Sequence, residues 1–212
     1  MKSSRWVGSV FLAVIVSGAI SAQTAEGVLE KARKKYDSLN DAELHFTQTV
    51  KFPVSHLEQR ISGQLRMKKT NHYRMETDEM VVVTDGETVW SYSRVNNQVL
   101  IDRFKMDERM FSPERILTAA PADYSATLIG KEKIASQPTV VIKLIPSADQ
   151  GFIKVLKLWI GENDFLTRKV EMVDANGKET TYLVSDLRMN TGLSDTLFSY
   201  TAPENAEVVD LR

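Results

Sequence analysis

Three histidines, His45, His56 and His72, are the residues best suited to proton transfer or metal ligation, and their spacing supports neither. They stand 11 and 16 positions apart, and none belongs to an H-E-x-x-H pair that would put two imidazoles on one helix face. His45 falls on the polar side of an alternating segment, where a solvated imidazole is expected. The sequence has no cysteine, which excludes disulfides, thiolate nucleophiles and Cys-ligated zinc, haem or iron–sulfur groups. It has no G-x-S-x-G elbow, no P-loop and no G-x-G-x-x-G. Asp85-Gly86-Glu87 reads as turn chemistry. Asp174-Ala175-Asn176-Gly177 starts like a calcium loop but lacks the later ligands, so it reads as a hairpin. The chain is expected to be non-enzymatic, with no catalytic residue, metal or cofactor.

What remains is an excess of adaptable apolar residues. Beyond the N-terminal segment there are seven methionines, Met67, Met75, Met80, Met106, Met110, Met172 and Met189. Met67 and Met75 fall on the dry side of strand-like segments, where a flexible thioether can fit an irregular partner. Gln48 and Lys69 interrupt that dry side. In a closed core such groups are costly unless paired, whereas at the mouth of a cavity they meet water or a ligand headgroup.

The positioning elements follow from composition and periodicity. The 212 residues carry 27 Lys and Arg against 28 Asp and Glu, with 42% hydrophobic residues. That balance, with no basic block, argues against a nucleic-acid partner. Lys2 and Arg5 precede a short apolar run to Ile20 and the small residues Ser21 and Ala22, the pattern of a secretory signal over residues 1–22. The signal holds two basic residues and no acidic one, so its removal leaves a formal net charge of −3. Residues 23–212 are expected to form one domain.

Residues 25–39 read as a helix capped by Thr24, with Val28, Leu29, Ala32, Tyr36 and Leu39 on one stripe. The period then becomes two. Ala42, Leu44, Phe46, Gln48, Val50 and Phe52 alternate with Glu43, His45, Thr47, Thr49 and Lys51. Similar segments follow at 60–68, 73–75, 80–84, 89–92 and 99–101, then at 124–134, 138–145, 152–160, 165–174 and 178–188, with a last strand-like stretch over 195–202. Ser112-Pro113 opens a short helix carrying Ile116 and Leu117. The expected fold is mainly β with few helices. About ten to eleven strands, joined by short turns, form an incomplete antiparallel β-barrel whose concave side is covered by a helical lid.

Several ordered motifs resemble the LolA family of periplasmic lipoprotein carriers. They are Phe46-Thr47-Gln48, Gly63 to Lys69, Tyr73-Arg74-Met75-Glu76, Val82 to Tyr92, Asn97-Gln98-Val99 and Asp195 to Pro203. The resemblance implies a carrier in the periplasm that shelters lipoprotein acyl chains in an apolar cavity. Its cargo would come from an inner-membrane lipoprotein-releasing ABC transporter complex and pass to an outer-membrane acceptor. It implies a monomer without nucleic-acid partners. The cavity would be lined by Leu44, Phe46, Val50, Leu65, Met67, Tyr73, Met75, Trp90, Ile116 and Leu117, with Tyr73 at its mouth. Where the family usually has Arg-Pro, with the Arg holding the lid, this chain has Lys69-Thr70, so Lys69 takes the latch position without the planar guanidinium fork. Met75 stands where many members have Trp. The same fold also admits an envelope lipid-binding or sensor module.

The energetics agree with a carrier. Each buried CH₂ is worth about 0.8 kcal/mol, so three sixteen-carbon chains with about 45 such groups represent about 36 kcal/mol. A carrier must offset most of that cost in water and still release its load. With no nucleotide motif in the chain, energy for loading has to come from a partner.

Overall fold

A computed structural model describes residues 24–105, 124–147 and 152–212. Helix α1 (Ala25–Asp37) is followed by β1 (Asp41–Lys51), β2 (Glu58–Lys68), β3 (His72–Thr77), β4 (Met80–Asp85), β5 (Thr88–Ser93) and β6 (Gln98–Arg103). A second series comprises β7 (Tyr124–Ile134), β8 (Gln137–Pro146), β9 (Ile153–Gly161), β10 (Thr167–Asp174) and β11 (Glu179–Met189). A 3₁₀ turn (Asp195–Phe198) and β12 (Glu207–Asp210) close the described chain. The signal segment 1–22 and the short helix expected from Ser112 to near Pro121 lie outside the described residues.

All twelve strands form one sheet in the order β12-β6-β5-β4-β3-β2-β1-β11-β10-β9-β8-β7. Two meanders, β1 to β6 and β7 to β11, meet where β1 pairs antiparallel with β11. Edges β7 and β12 do not pair, so the barrel is unclosed. The sheet nevertheless curls. Val82 of β4 and Val140 and Ile142 of β8, far apart in strand order, share one core cluster with Val28, Ala32 and Tyr36 of α1. The helix forms as its stripe requires, with Thr24 Oγ1 accepting the Gly27 amide at 3.1 Å. Tyr36 ties it to the β9–β10 corner, its hydroxyl accepting the Thr167 amide at 3.2 Å.

The turns use local chemistry. Asp85 Oδ1 accepts the amides of Glu87 and Thr88 at 2.9 and 2.8 Å around Gly86. Asp174 Oδ1 accepts those of Asn176 and Lys178 at 2.8 and 3.0 Å, so this segment is a hairpin turn.

Three expectations are corrected. Residues 195–202 are not a strand. Ser194 caps the 3₁₀ turn, and Phe198 is driven into the outer face of the sheet, edge-on to His72 at 5.6 Å. The last strand is instead β12, which returns beside β6 in parallel, an exception to the otherwise antiparallel pairing. Phe52, counted with the dry side of the first strand, lies beyond its end and is exposed.

Candidate apolar binding face

Strand register decides which side chains share a surface, because directly paired residues point the same way. Leu44 pairs with Leu65, Leu65 with Met75, Met75 with Val82, and Val82 with Ser91. The next row runs Ala42, Met67, Tyr73, Thr84, Val89. Leu44, Phe46, Leu65 and Tyr73 are buried in the core cluster, Met67 and Met75 are half-buried against it, and Val50 is buried on the same side of β1 beyond it. The structure thus brings together seven of the residues singled out from sequence, on the concave face that α1 covers. Ile116 and Leu117 lie outside the described residues.

Trp90 is not among them. It pairs with Val83 and Ile101 and so faces outward, while Val89 takes the concave position beside Thr84. The apolar run Val81–Val83 hid this, since both of its sides are buried, the outer one near Phe198. Tyr73 also differs from expectation. It is buried, and that burial pushes its phenol above the ordinary value, so it belongs to the wall rather than to a wet mouth.

Two features shape the face locally. The Phe46 ring lies over Gly63, where any Cβ would come within 2.7 Å of Phe46 Cζ and 2.5 Å of the Glu76 carbonyl. Gln48, the polar interruption, donates to the Tyr182 hydroxyl at 3.1 Å. Burial raises the Tyr182 phenol as well, which keeps it a neutral partner.

The ion pairs of β1 to β3 and of β9 and β10 lie on the other face. Glu76 is approached by Arg74 at 2.5 Å, Arg66 at 3.2 Å and Arg94 at 3.9 Å, and Arg66 also reaches Glu43 at 3.6 Å. Burial alone would raise the Glu76 carboxyl, but Arg74, Arg66 and Arg94 hold it below its ordinary value. Glu171 is likewise held down against its partial burial, by Lys157 and Lys169.

At the C-terminal end of α1, a cavity of about 390 Å³ is lined by the apolar Leu39, Ala42 and Met67 with Tyr36, and by the polar Asp37, Asn40 and Asp41 and the Lys68–Thr70 segment. The volume is in the range of small-ligand pockets. Lys69 is exposed, in the β2–β3 turn rather than on the strand face. Thr70 and Asn71 follow at φ of +65° and +61°, so a proline, whose ring holds φ near −65°, would not fit at Thr70. This turn is built differently from one carrying Arg-Pro.

The segment after β11 is held by a residue the sequence reading passed over. Asp41 is buried. Its Oδ1 accepts the Thr191 amide at 2.7 Å and the Thr191 hydroxyl at 3.0 Å, and its Oδ2 accepts the amides of Gly192 and Leu193 at 3.0 and 3.3 Å. Burial would raise its carboxyl, but these donors hold it below the ordinary value. Lys68 assists, donating to Asp195 Oδ1 at 2.5 Å and to the Leu193 carbonyl at 3.3 Å. The available signal was an acidic residue at the head of a strand, directly before its first apolar position.

These features define a class: an unclosed antiparallel barrel with a largely apolar concave face, a helix lying on it, and the ion pairs around Glu43, Glu76 and Glu171 on the outside. A sequence profile of the outer membrane lipoprotein carrier protein LolA matches residues 37–201, and the chain belongs to the LolA family. An outer-membrane lipoprotein carrier protein of Methylobacillus flagellatus is 26% identical over 207 residues, spanning 96% of this chain and 97% of that protein. Another from Pseudomonas aeruginosa is 25% identical over 217 residues, spanning 97% and 99%. Among solved structures, an uncharacterised conserved protein from Thermus thermophilus aligns over 88% of this chain and 98% of its own, with a TM-score of 0.60 and 15% identity.

Proposed function

We propose that this protein is a non-catalytic periplasmic carrier that takes acylated lipoproteins from the inner to the outer membrane with their chains against the concave face. The observation that carries the reading is the row Leu44–Leu65–Met75–Val82, extended by half-buried Met67 and Val89, on a face from which the ion pairs around Glu43, Glu76 and Glu171 are excluded. The half-buried methionines Met67 and Met75 let one surface follow chains of differing shape. The hydrocarbon is sheltered by contact area rather than by specific polar bonds, which suits a ligand that must leave again. Loading energy comes from an inner-membrane ABC releasing complex, and unloading goes to an acceptor at the outer membrane. Lys69, exposed and among the residues lining the cavity beside α1, takes the latch position in this scheme.

Native mass spectrometry of the protein purified from a periplasmic extract tests the reading. The expected result is a population heavier by one lipoprotein, diminished in Met67→Glu and Met75→Glu variants. A protein that is always empty, together with unchanged lipoprotein sorting when it is depleted from its own cell, would overturn it.

A further inference from the structure

The two ends of the sheet differ. At the end where β1 leads into β2, the described turns and strand ends expose Phe52 (38%), Val54 (93%), Leu57 (65%), Met80, Val95 and Phe152 (45%). At the opposite end, the turns at 38–40, 69–71, 86–87, 135–136, 162–166 and 190–193 expose no large apolar side chain, and among the described strand ends there Leu211 (59%), just past β12, stands alone. Scattered exposed apolar residues are ordinary, but their collection along one rim is not.

The rim is built, not frayed. The Phe52 amide donates to the Leu57 carbonyl and the His56 amide to the Phe52 carbonyl, both at 3.0 Å, so the β1–β2 tip is a closed turn with Val54 pointing into water. Pro53 lies against Gly177 in the neighbouring β10–β11 tip, and the Ala175 amide of that tip donates to the Phe152 carbonyl at 2.8 Å. Phe52, Val54, Leu57 and Phe152 therefore belong to one continuous edge.

We propose that this rim docks on a phospholipid bilayer, with Val54 and Leu57 entering the interfacial region. The apolar residues stand on convex tips of several separate hairpins. A groove in another protein would have to meet each of them, whereas the planar apolar phase of a membrane takes them all at once. The flanking charges are mixed, Lys51 and Arg60 against Glu58 and Glu179, so anionic lipid is not required. Inward from the rim the apolar surface continues through Val50, Ile153 and Tyr182 to the concave face. If the face carries acyl chains, as proposed above, docking by the rim holds the carrier at the membrane surface, beside the complex that loads it and the acceptor that unloads it.

Flotation of the purified, cargo-free protein with phosphatidylcholine vesicles reads the docking without depending on cargo. We expect wild-type protein to float, and V54E/L57E to lower the vesicle-bound fraction about tenfold with an unchanged urea midpoint, since both side chains are solvent-exposed. Leu211→Glu, at an exposed apolar residue (59%) just past β12 at the opposite end of the sheet, should float like wild type. Absence of flotation, normal flotation of V54E/L57E, or an equal loss in Leu211→Glu would overturn the proposal. So would concentration-dependent dimerisation abolished by V54E/L57E, which would give the rim to a second copy of the chain. By native mass spectrometry V54E/L57E should still carry lipoprotein while failing to float, which separates failure of docking from failure of the carrier reading.

Discussion

Gln48 donates to the Tyr182 hydroxyl at 3.1 Å, joining residues 134 positions apart across the seam of the two meanders. The pair sits on the apolar face, so neither partner has a good substitute. Tyr182→Phe leaves the Gln48 amide short of an acceptor and should cost about 1–3 kcal/mol. Gln48→Leu should cost less, and the double variant should recover part of the loss, with a coupling of about 0.5–1.5 kcal/mol in urea unfolding. Strict additivity would mean that water serves both groups equally well.

Asp41 gives a pH signature. Its folded carboxyl is held below the ordinary value of about 3.9 by donors from Thr191, Gly192 and Leu193 despite its burial. A depressed carboxyl stabilises the fold above its unfolded value, and that contribution is lost as pH falls through the folded value. Stability should therefore drop below about pH 4. Asp41→Asn turns an NH₂ toward amide donors and should cost about 1–3 kcal/mol at neutral pH while flattening this acid limb. Urea midpoints at pH 7 and in the acid range check both effects.

Thr70 is a β-branched residue at φ +65°. Thr70→Gly should raise the thermal midpoint slightly, with a gain of up to about 1 kcal/mol from relief of the left-handed conformation. Thr70→Pro should cost about 3 kcal/mol or more, because its ring cannot reach that φ. A well-tolerated proline would show that this turn can adopt the backbone of an Arg-Pro turn.

The cargo contacts can be separated from stability by exposure. Lys69 is exposed, so Lys69→Leu should change the unfolding free energy by no more than about 0.5 kcal/mol, and altered lipoprotein retention would then report the latch. Identical retention would remove Lys69 from the mechanism. Tyr73→Glu, by contrast, puts a carboxylate into a buried site and should destabilise the fold as well as impair loading. Measuring retention and urea midpoint on the same preparations distinguishes the two.

Short-range chemistry was legible without coordinates. The 3.6-residue stripe from Val28 to Tyr36, the Thr24 cap, the period-two segments from Ala42 to Met75 and the turns at Asp85-Gly86 and Asp174 to Gly177 each depend on neighbours within a few positions. Local sterics and hydrogen bonding specify them. One-sided alternation also placed Leu44, Leu65, Met67 and Met75 on a shared face, since a strand with one dry side has only one register that keeps it dry.

Tertiary structure alone decided the rest. Trp90 and Val89 compete for the concave side, and in a strand half-buried on both sides nothing local breaks the tie; pairing with Val83 and Ile101 does. The Asp195 to Phe198 segment is apolar enough for a strand, but Asp41 and Lys68, more than a hundred residues earlier, hold its approach so that Phe198 packs on the outer face. The parallel return of β12 and the Gln48–Tyr182 bond likewise depend on which distant strands become neighbours. That choice is made by burial summed over the whole sheet, a quantity no short window of residues contains.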